Sequence, residues 1–278
     1  MSTTLDLAPQ ATAAPRTRVY PVTLHRVLTS EWIKLRSLRS TTITLAVAFV
    51  LMIGLGIVIA ALTNAQWSTM SASSKATFDP VDTALQGHFI AQLAIGVLGV
   101  LVISGEYATG MIRATLTAVP KRLPVLWAKS TVFGAVALVT MTIASFIAFF
   151  ATQAVLSTHQ LQTTISQPGV LRAVIGSGLY LTVIALIGVA MGTLLRNTAA
   201  AITAVVGLLM LLPALIDLLP SSISQHILPY LPSRAGSALI SVHQQAGALS
   251  PWAGFAVMCG YAVVAMAGAA YVLKRRDA

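Results

Sequence analysis

The sequence predicts an all-α polytopic membrane protein: six transmembrane helices, an N-terminal amphipathic interfacial helix, and short outer helices of re-entrant type before the last span. Three observations carry this expectation. Hydrophobic residues make up 56% of the 278 and charged ones only 9%, with a mean hydropathy of +0.85, a balance outside the range of soluble domains. Six apolar runs, at 42–62, 84–104, 131–156, 170–195, 199–219 and 252–273, each reach the roughly 20 residues a helix needs to cross a ~30 Å hydrocarbon core. With the N-terminus inside, all of the 17 Lys and Arg except Lys75, Arg172 and Arg234 fall on the inner side. That asymmetry places both termini in the cytoplasm. It also accounts for the net charge of +10 without any nucleic-acid partner.

Residues 1–22 are rich in Ala, Thr and Pro, lack hydrophobic periodicity and predict a disordered cytoplasmic tail. They do not read as a signal peptide, because about forty residues precede the first apolar run. From 23 to 40 the pattern turns helical. Leu24, Val27, Leu28, Trp32, Leu35 and Leu38 recur at spacings of three and four, with Arg26, Lys34 and Arg36 off the stripe. A helix lying in the membrane surface is expected, its stripe in the interface, Trp32 at headgroup depth and its basic residues towards anionic lipid. Glu31 breaks this pattern by projecting into the apolar sector, where a carboxylate needs a partner. Lys34 at i+3 is the local choice; a partner subunit is the alternative.

Residues 41–278 form the six-span domain. Its second and third spans are joined by a charged interval at 105–129, GEYATGMIRATLTAVPKRLPVLWAK, between long uncharged runs. Glu106 is expected at the start of a helix, favoured there by the helix dipole, with Arg113 two turns on and on roughly the same face. The outer segment 220–250 holds short apolar groups punctuated by Pro220, Pro229 and Pro232, too brief to span. Pro213 should kink the fifth run. Gly188 with Gly192, and Gly54 with Gly56, supply small residues for close helix approach.

No chemical site presents itself. GxxxxGK[ST], HExxH and GxSxG do not occur. His88, His159, His226 and His243 match no compact metal spacing and are expected as solvated outer loop histidines. Asp217, near the outer end of the fifth run, and Arg172, at the outer start of the fourth, make a possible outer polar site in which the two could pair. Cys259 has no intrachain disulfide partner and is expected as a small core residue.

A basic helix containing SEWIKLRSLRS, six spans, GEYATGMIRATLTAVPKR followed by Lys129 after the second span, and LPYLPSRAGSAL before the last together resemble the type-2 ABC exporter permease family of bacteria, and more closely its actinobacterial members. The resemblance runs from about Thr23 onward. It implies a permease in the plasma membrane that works as a dimer, with a second copy or a second permease, seated on a separate ATPase subunit. This chain would then be no enzyme by itself and bind no cofactor, ATP and Mg residing on that partner. By position, Glu31, Trp32, Lys34 and Arg36 would belong to the connecting helix, and Glu106, Gly110, Arg113, Pro120, Lys121 and Arg122 to the coupling loop. Arg196 and Asn197 would make a second, smaller inner contact. The competing readings are a gradient-driven secondary transporter, which usually shows mid-membrane charges and internal repeats absent here, and a structural or assembly membrane protein.

Overall fold

The computed structural model describes residues 23–119, 122–244 and 247–275, and all regular structure among them is helical. The tail at 1–22, Pro120, Lys121 and Arg276 lie outside the described residues. Helix α1, Leu24–Ser37, is broken from α2, Arg39–Gln66, by the extended backbone of Leu38. Two short helices follow, α3 at Ala72–Ala76 and α4 at Pro80–Leu85, and α4 leads into α5, His88–Ala108. A short helix α6, Met111–Ala118, then precedes the long α7, Arg122–Leu156, and α8, Val170–Leu195. Helix α9, Thr198–Val206, continues through a π-helical turn at Gly207–Leu211 into α10, Leu212–Asp217. The chain ends through α11, Ser221–Ile227, α12, Pro232–Ile240, and α13, Pro251–Arg275.

Six helical stretches are long and apolar enough to cross a membrane: Arg39–Gln66, Pro80–Ala108, Arg122–His159, Val170–Leu195, Thr198–Asp217 and Pro251–Arg275. All six expected runs lie in these stretches, apart from the last two residues of the fifth. The chain is a multi-pass membrane protein. The third stretch begins nine residues before the expected 131, because the cationic start of α7 is part of the same helix. Lys129 therefore stands two turns inside a helix.

Helix α8 is the hub. Of its apolar window, 72% is buried against the rest of the chain, compared with 22% for the first and fifth stretches, whose apolar sides face outward as lipid-exposed helices do. It packs between α5 and α7, with α12 and α13 closing a further side. Small residues set the α5–α8 spacing. A Cβ on Gly188 would lie 2.3 Å from the Gly96 carbonyl oxygen, and one on Gly99 2.3 Å from that of Ala185. The two backbones touch, and only glycine allows it. Gly192 closes on Ile103 and Val100 in the same way. Gly56 meets Ala84, but Gly54 has open space around it, so this second pair splits.

Where a kink at Pro213 is expected, the helix carries a π turn just before it, at Gly207–Leu211. Proline can donate no hydrogen bond, and its ring crowds the carbonyl four residues back, at Leu209; a wider turn relieves both. The expected short helices of 220–250 are α11 and α12. Helix α12 folds back on α8 and α13, burying Pro232, Ala235, Gly236, Leu239 and Ile240.

Candidate functional site

Glycine at position 110 decides where the second span ends. Its φ of +71° is left-handed, so α5 stops at Ala108 and α6 starts in a new direction at Met111. Glu106 consequently occupies the last turn of α5, not the start of a helix. Arg113 belongs to α6, so the two do not share a helix face; the Arg113 side chain is outside the described residues. A carboxylate at a helix C-terminus meets the negative end of the dipole and needs cations nearby. Two lysines supply them.

Lys129, from α7, places Nζ 2.8 Å from Glu106 Oε1 and 2.6 Å from Glu31 Oε2. Lys34, one turn on from Glu31 in α1, places Nζ 2.9 Å from Glu31 Oε1 and 3.1 Å from Glu106 Oε1. It also donates to Thr115 Oγ1 of α6 at 3.2 Å. Glu31, Glu106 and Lys129 are buried at 3%, 4% and 3% exposure, and the Lys34 side chain retains 23%. Two acids and two bases thus form a neutral buried cluster that ties α1, α5, α6 and α7 together. Burial alone would pull the Lys34 ammonium down, but its hydrogen bond to Glu31 and the charges of Glu31 and Glu106 outweigh that and hold it above its ordinary 10.5. Such a cluster adds little net stability over an apolar core, yet removing one member strands a charge in low dielectric. Its geometry therefore fixes where α1 docks.

The local expectation for Glu31 holds, since Lys34 pairs with it; Lys129 and the shared Glu106 are what spacing could not supply. The docked edge of α1 is Val27, Glu31, Lys34 and Leu35, and not the whole apolar stripe: Leu24, Trp32 and Leu38 remain exposed. Arg36 and Gly110 are exposed beside them. Glu106 is the residue whose expected surface placement must be corrected. The cluster buries it, so it cannot itself form part of an outward-facing docking surface.

At the same end of the bundle, Arg122 donates to the Leu273 carbonyl of α13 at 3.4 Å. Arg196 ends α8 in a left-handed conformation and lays its guanidinium over the Tyr107 ring, 5.3 Å from the centroid. Asn197 caps α9, its Oδ1 accepting from Ala200 N at 3.0 Å, and stays exposed. The two segments that the resemblance marks, 105–129 and 196–197, thus meet at Tyr107.

The opposite end holds a cavity of about 530 Å³ lined by Asp82, His88, Phe89, Arg172, Asp217 and Arg234 among others. Arg172 and Asp217 do not pair there. Arg172 donates to the carbonyls of Leu239 and Ser241 at 3.0 and 2.9 Å, and Asp217 pairs with Arg234 at 3.0 Å. The α12 segment, folding back, brings these partners in from outside the two spans. His88 is not a solvated loop histidine either. It starts α5, is 4% exposed, and sets Nδ1 2.7 Å from the Leu85 carbonyl with its ring edge-on to Tyr180. Tyr180 in turn donates to Gln92. The neighbouring Gly87 lies tightly on α2, where a Cβ would stand 2.1 Å from the Met52 carbonyl oxygen. His159, His226 and His243 are exposed as expected. Among the described residues no cluster of His, Cys, Asp and Glu has the makings of a metal site.

The sequence matches no protein-family model and no curated protein.

Proposed function

We propose that this chain is the membrane-spanning permease subunit of an ATP-driven exporter of the type-2 ABC kind. It would sit in a bacterial plasma membrane with both termini in the cytoplasm, act as a dimer, and couple to an ATPase on a separate chain. The observation that supports this reading best is the buried cluster of Glu31, Lys34, Glu106 and Lys129. It makes α1, α6 and the inner ends of α5 and α7 one rigid unit. Trp32, Arg36, Gly110 and Asn197 are exposed around that unit and form the docking face for the ATPase. A load applied to α1 or α6 then passes without slack into α5 and α7, which flank the hub α8. Closing of two ATPases would tilt these spans between two states selected by nucleotide.

The experiment is purification of the chain from its native membrane in mild detergent, with identification of co-purifying proteins and measurement of their ATP turnover. Recovery of an ATPase in equal amount is expected, with its binding lost in the double variant Trp32→Ala, Arg36→Glu while the chain stays folded. Recovery of the chain alone, with no nucleotide-dependent change, overturns the reading.

A further inference from the structure

The cavity of about 530 Å³ at the end opposite the charge cluster has the size of a small-ligand site, and one of the groups lining it is incomplete. His88 is 4% exposed and sets Nδ1 2.7 Å from the Leu85 carbonyl. A carbonyl can only accept, so Nδ1 carries the proton and Nε2 is the acceptor of the neutral ring. Nε2 has no partner among the described residues, yet it is not one of the polar atoms sealed from solvent. It therefore opens into the cavity that the residue lines. Whatever meets it there must donate a hydrogen bond.

The charged groups of the cavity divide by wall. The α4–α5 side supplies no cation and one acid, Asp82, whose Oδ2 accepts from the Gln86 amide at 2.9 Å. The side made by α8, α10 and α12 supplies two guanidiniums, Arg172 and Arg234, and one carboxylate, Asp217. Arg234 takes Asp217, while Arg172 rests on the carbonyls of Leu239 and Ser241. Neither Asp82 nor Arg172 has an ion-pair partner among the described residues. One wall thus keeps a surplus negative charge beside a bare acceptor, and the other keeps a surplus positive charge.

We infer that this cavity binds a primary-amine zwitterion of the phosphoethanolamine kind. Its ammonium donates to His88 Nε2 in the field of Asp82, and its phosphate turns to Arg172 and Arg234. The chemistry is the same in free glycerophosphoethanolamine and in the headgroup of phosphatidylethanolamine, and exposed Phe89 and Ile90 give the acyl-bearing form apolar surface beside the site. Other classes fail on one group each. A trimethylammonium head carries the charge but has no N–H for Nε2. A simple anion has no donor for His88 and is repelled by Asp82, and a simple alkylammonium leaves Arg172 without an anion. The zwitterion answers both walls and leaves the cavity neutral. The inference stands on the cavity and its lining, and does not depend on the exporter reading.

The test uses the full chain in maltoside detergent and radiolabelled dioctanoylphosphatidylethanolamine. Saturable binding is expected, with dioctanoylphosphatidylcholine competing only at concentrations about tenfold higher than the unlabelled ethanolamine lipid, as one hydrogen bond from a charged group predicts. His88→Phe keeps an aromatic ring against Phe89 and Tyr180 and should erase that preference while leaving the choline lipid's binding unchanged. Glycerophosphoethanolamine competing as well as the lipid identifies the free head as the ligand, and competing only far above it identifies the lipid; both support the site. Binding that never saturates, or a choline lipid that competes as well as the ethanolamine lipid, overturns the inference. So does a preference that survives in His88→Phe. Should that variant fail to fold, Asp82→Asn decides, since Asp82 is exposed: binding of the ethanolamine lipid should weaken about threefold, and unchanged binding overturns the assignment.

Discussion

Lys129 Nζ lies 2.6 Å from Glu31 Oε2, and both side chains are almost wholly withdrawn from solvent. The two residues are 98 positions apart, and their contact pins the N-terminal helix to the third span. The buried pairing changes how substitutions at this end of the molecule should be read.

Lys129→Met removes one partner and strands Glu31 and Glu106 near a single remaining ammonium. A loss of roughly 3–5 kcal/mol is expected, the range for breaking a buried pair. The double variant Lys129→Met, Glu31→Gln should lose clearly less than the sum of its parts, because contacting charges are coupled. Unfolding in detergent, followed through the full double-mutant cycle, measures this. Simple additivity would mean that the two do not interact.

Alkali should release α1 through Lys34. Its folded pKa is raised above 10.5, so the group is more easily kept protonated in the folded chain. The stability it contributes is whole below 10.5 and is lost as pH climbs through the higher folded value. A pH series of detergent unfolding should therefore show a loss above 10.5 that Lys34→Met lacks. Equal alkaline limbs in the two proteins would contradict the pairing.

The glycines of the spans should divide sharply. At Gly188 even a methyl group must displace the Gly96 carbonyl, so Gly188→Ala is expected to cost about 1–3 kcal/mol by forcing α5 from α8. At Gly54 a Cβ meets nothing within 4 Å, and Gly54→Ala should be neutral or stabilising by up to about 1 kcal/mol through helix propensity. Thermal unfolding of the two variants side by side checks both signs.

On the opposite end, the visible ion pair should matter less than the hidden cation. Asp217 and Arg234 retain 46% and 52% side-chain exposure, so Asp217→Asn should change stability by less than about 1 kcal/mol. Arg172→Met strips hydrogen bonds from the carbonyls of Leu239 and Ser241 and should cost about 1–3 kcal/mol. Protease sensitivity of the 220–250 segment gives an independent readout. It should rise in the Arg172 variant and stay unchanged in the Asp217 variant.

Much of the fold was legible because lipid as a solvent imposes a strong composition rule. A span must be apolar for about 20 residues and satisfy its own backbone, so the six runs could be read from one-dimensional pattern, whereas the break falls at Leu38, inside the stretch 23–40 expected as one amphipathic helix. The position of Glu31 was legible as an anomaly, since a carboxylate inside an apolar stripe demands a partner. Its nearer partner, Lys34, followed from the 3.6-residue period. Lys129 could not be assigned in this way. Nothing in a linear pattern distinguishes a lysine closing a loop from one two turns inside a helix and facing another helix.

By itself, then, the sequence determined what kind of molecule this is: a six-span helical membrane protein with a separate amphipathic helix and a strong asymmetry of basic charge. Those properties are local, arising from length, periodicity and the cost of placing charge in hydrocarbon. Only the tertiary structure decided the partners. It turned Glu106 from a surface acid into a buried one, gave Arg172 to backbone carbonyls and Asp217 to Arg234, and drew His88 into the core. Each outcome depends on which helices lie side by side, and that is set by the packing of α5, α7 and α13 around the glycine-lined hub α8. Pairings across 17 to 98 residues of chain are properties of that packing and leave no periodic trace in the sequence.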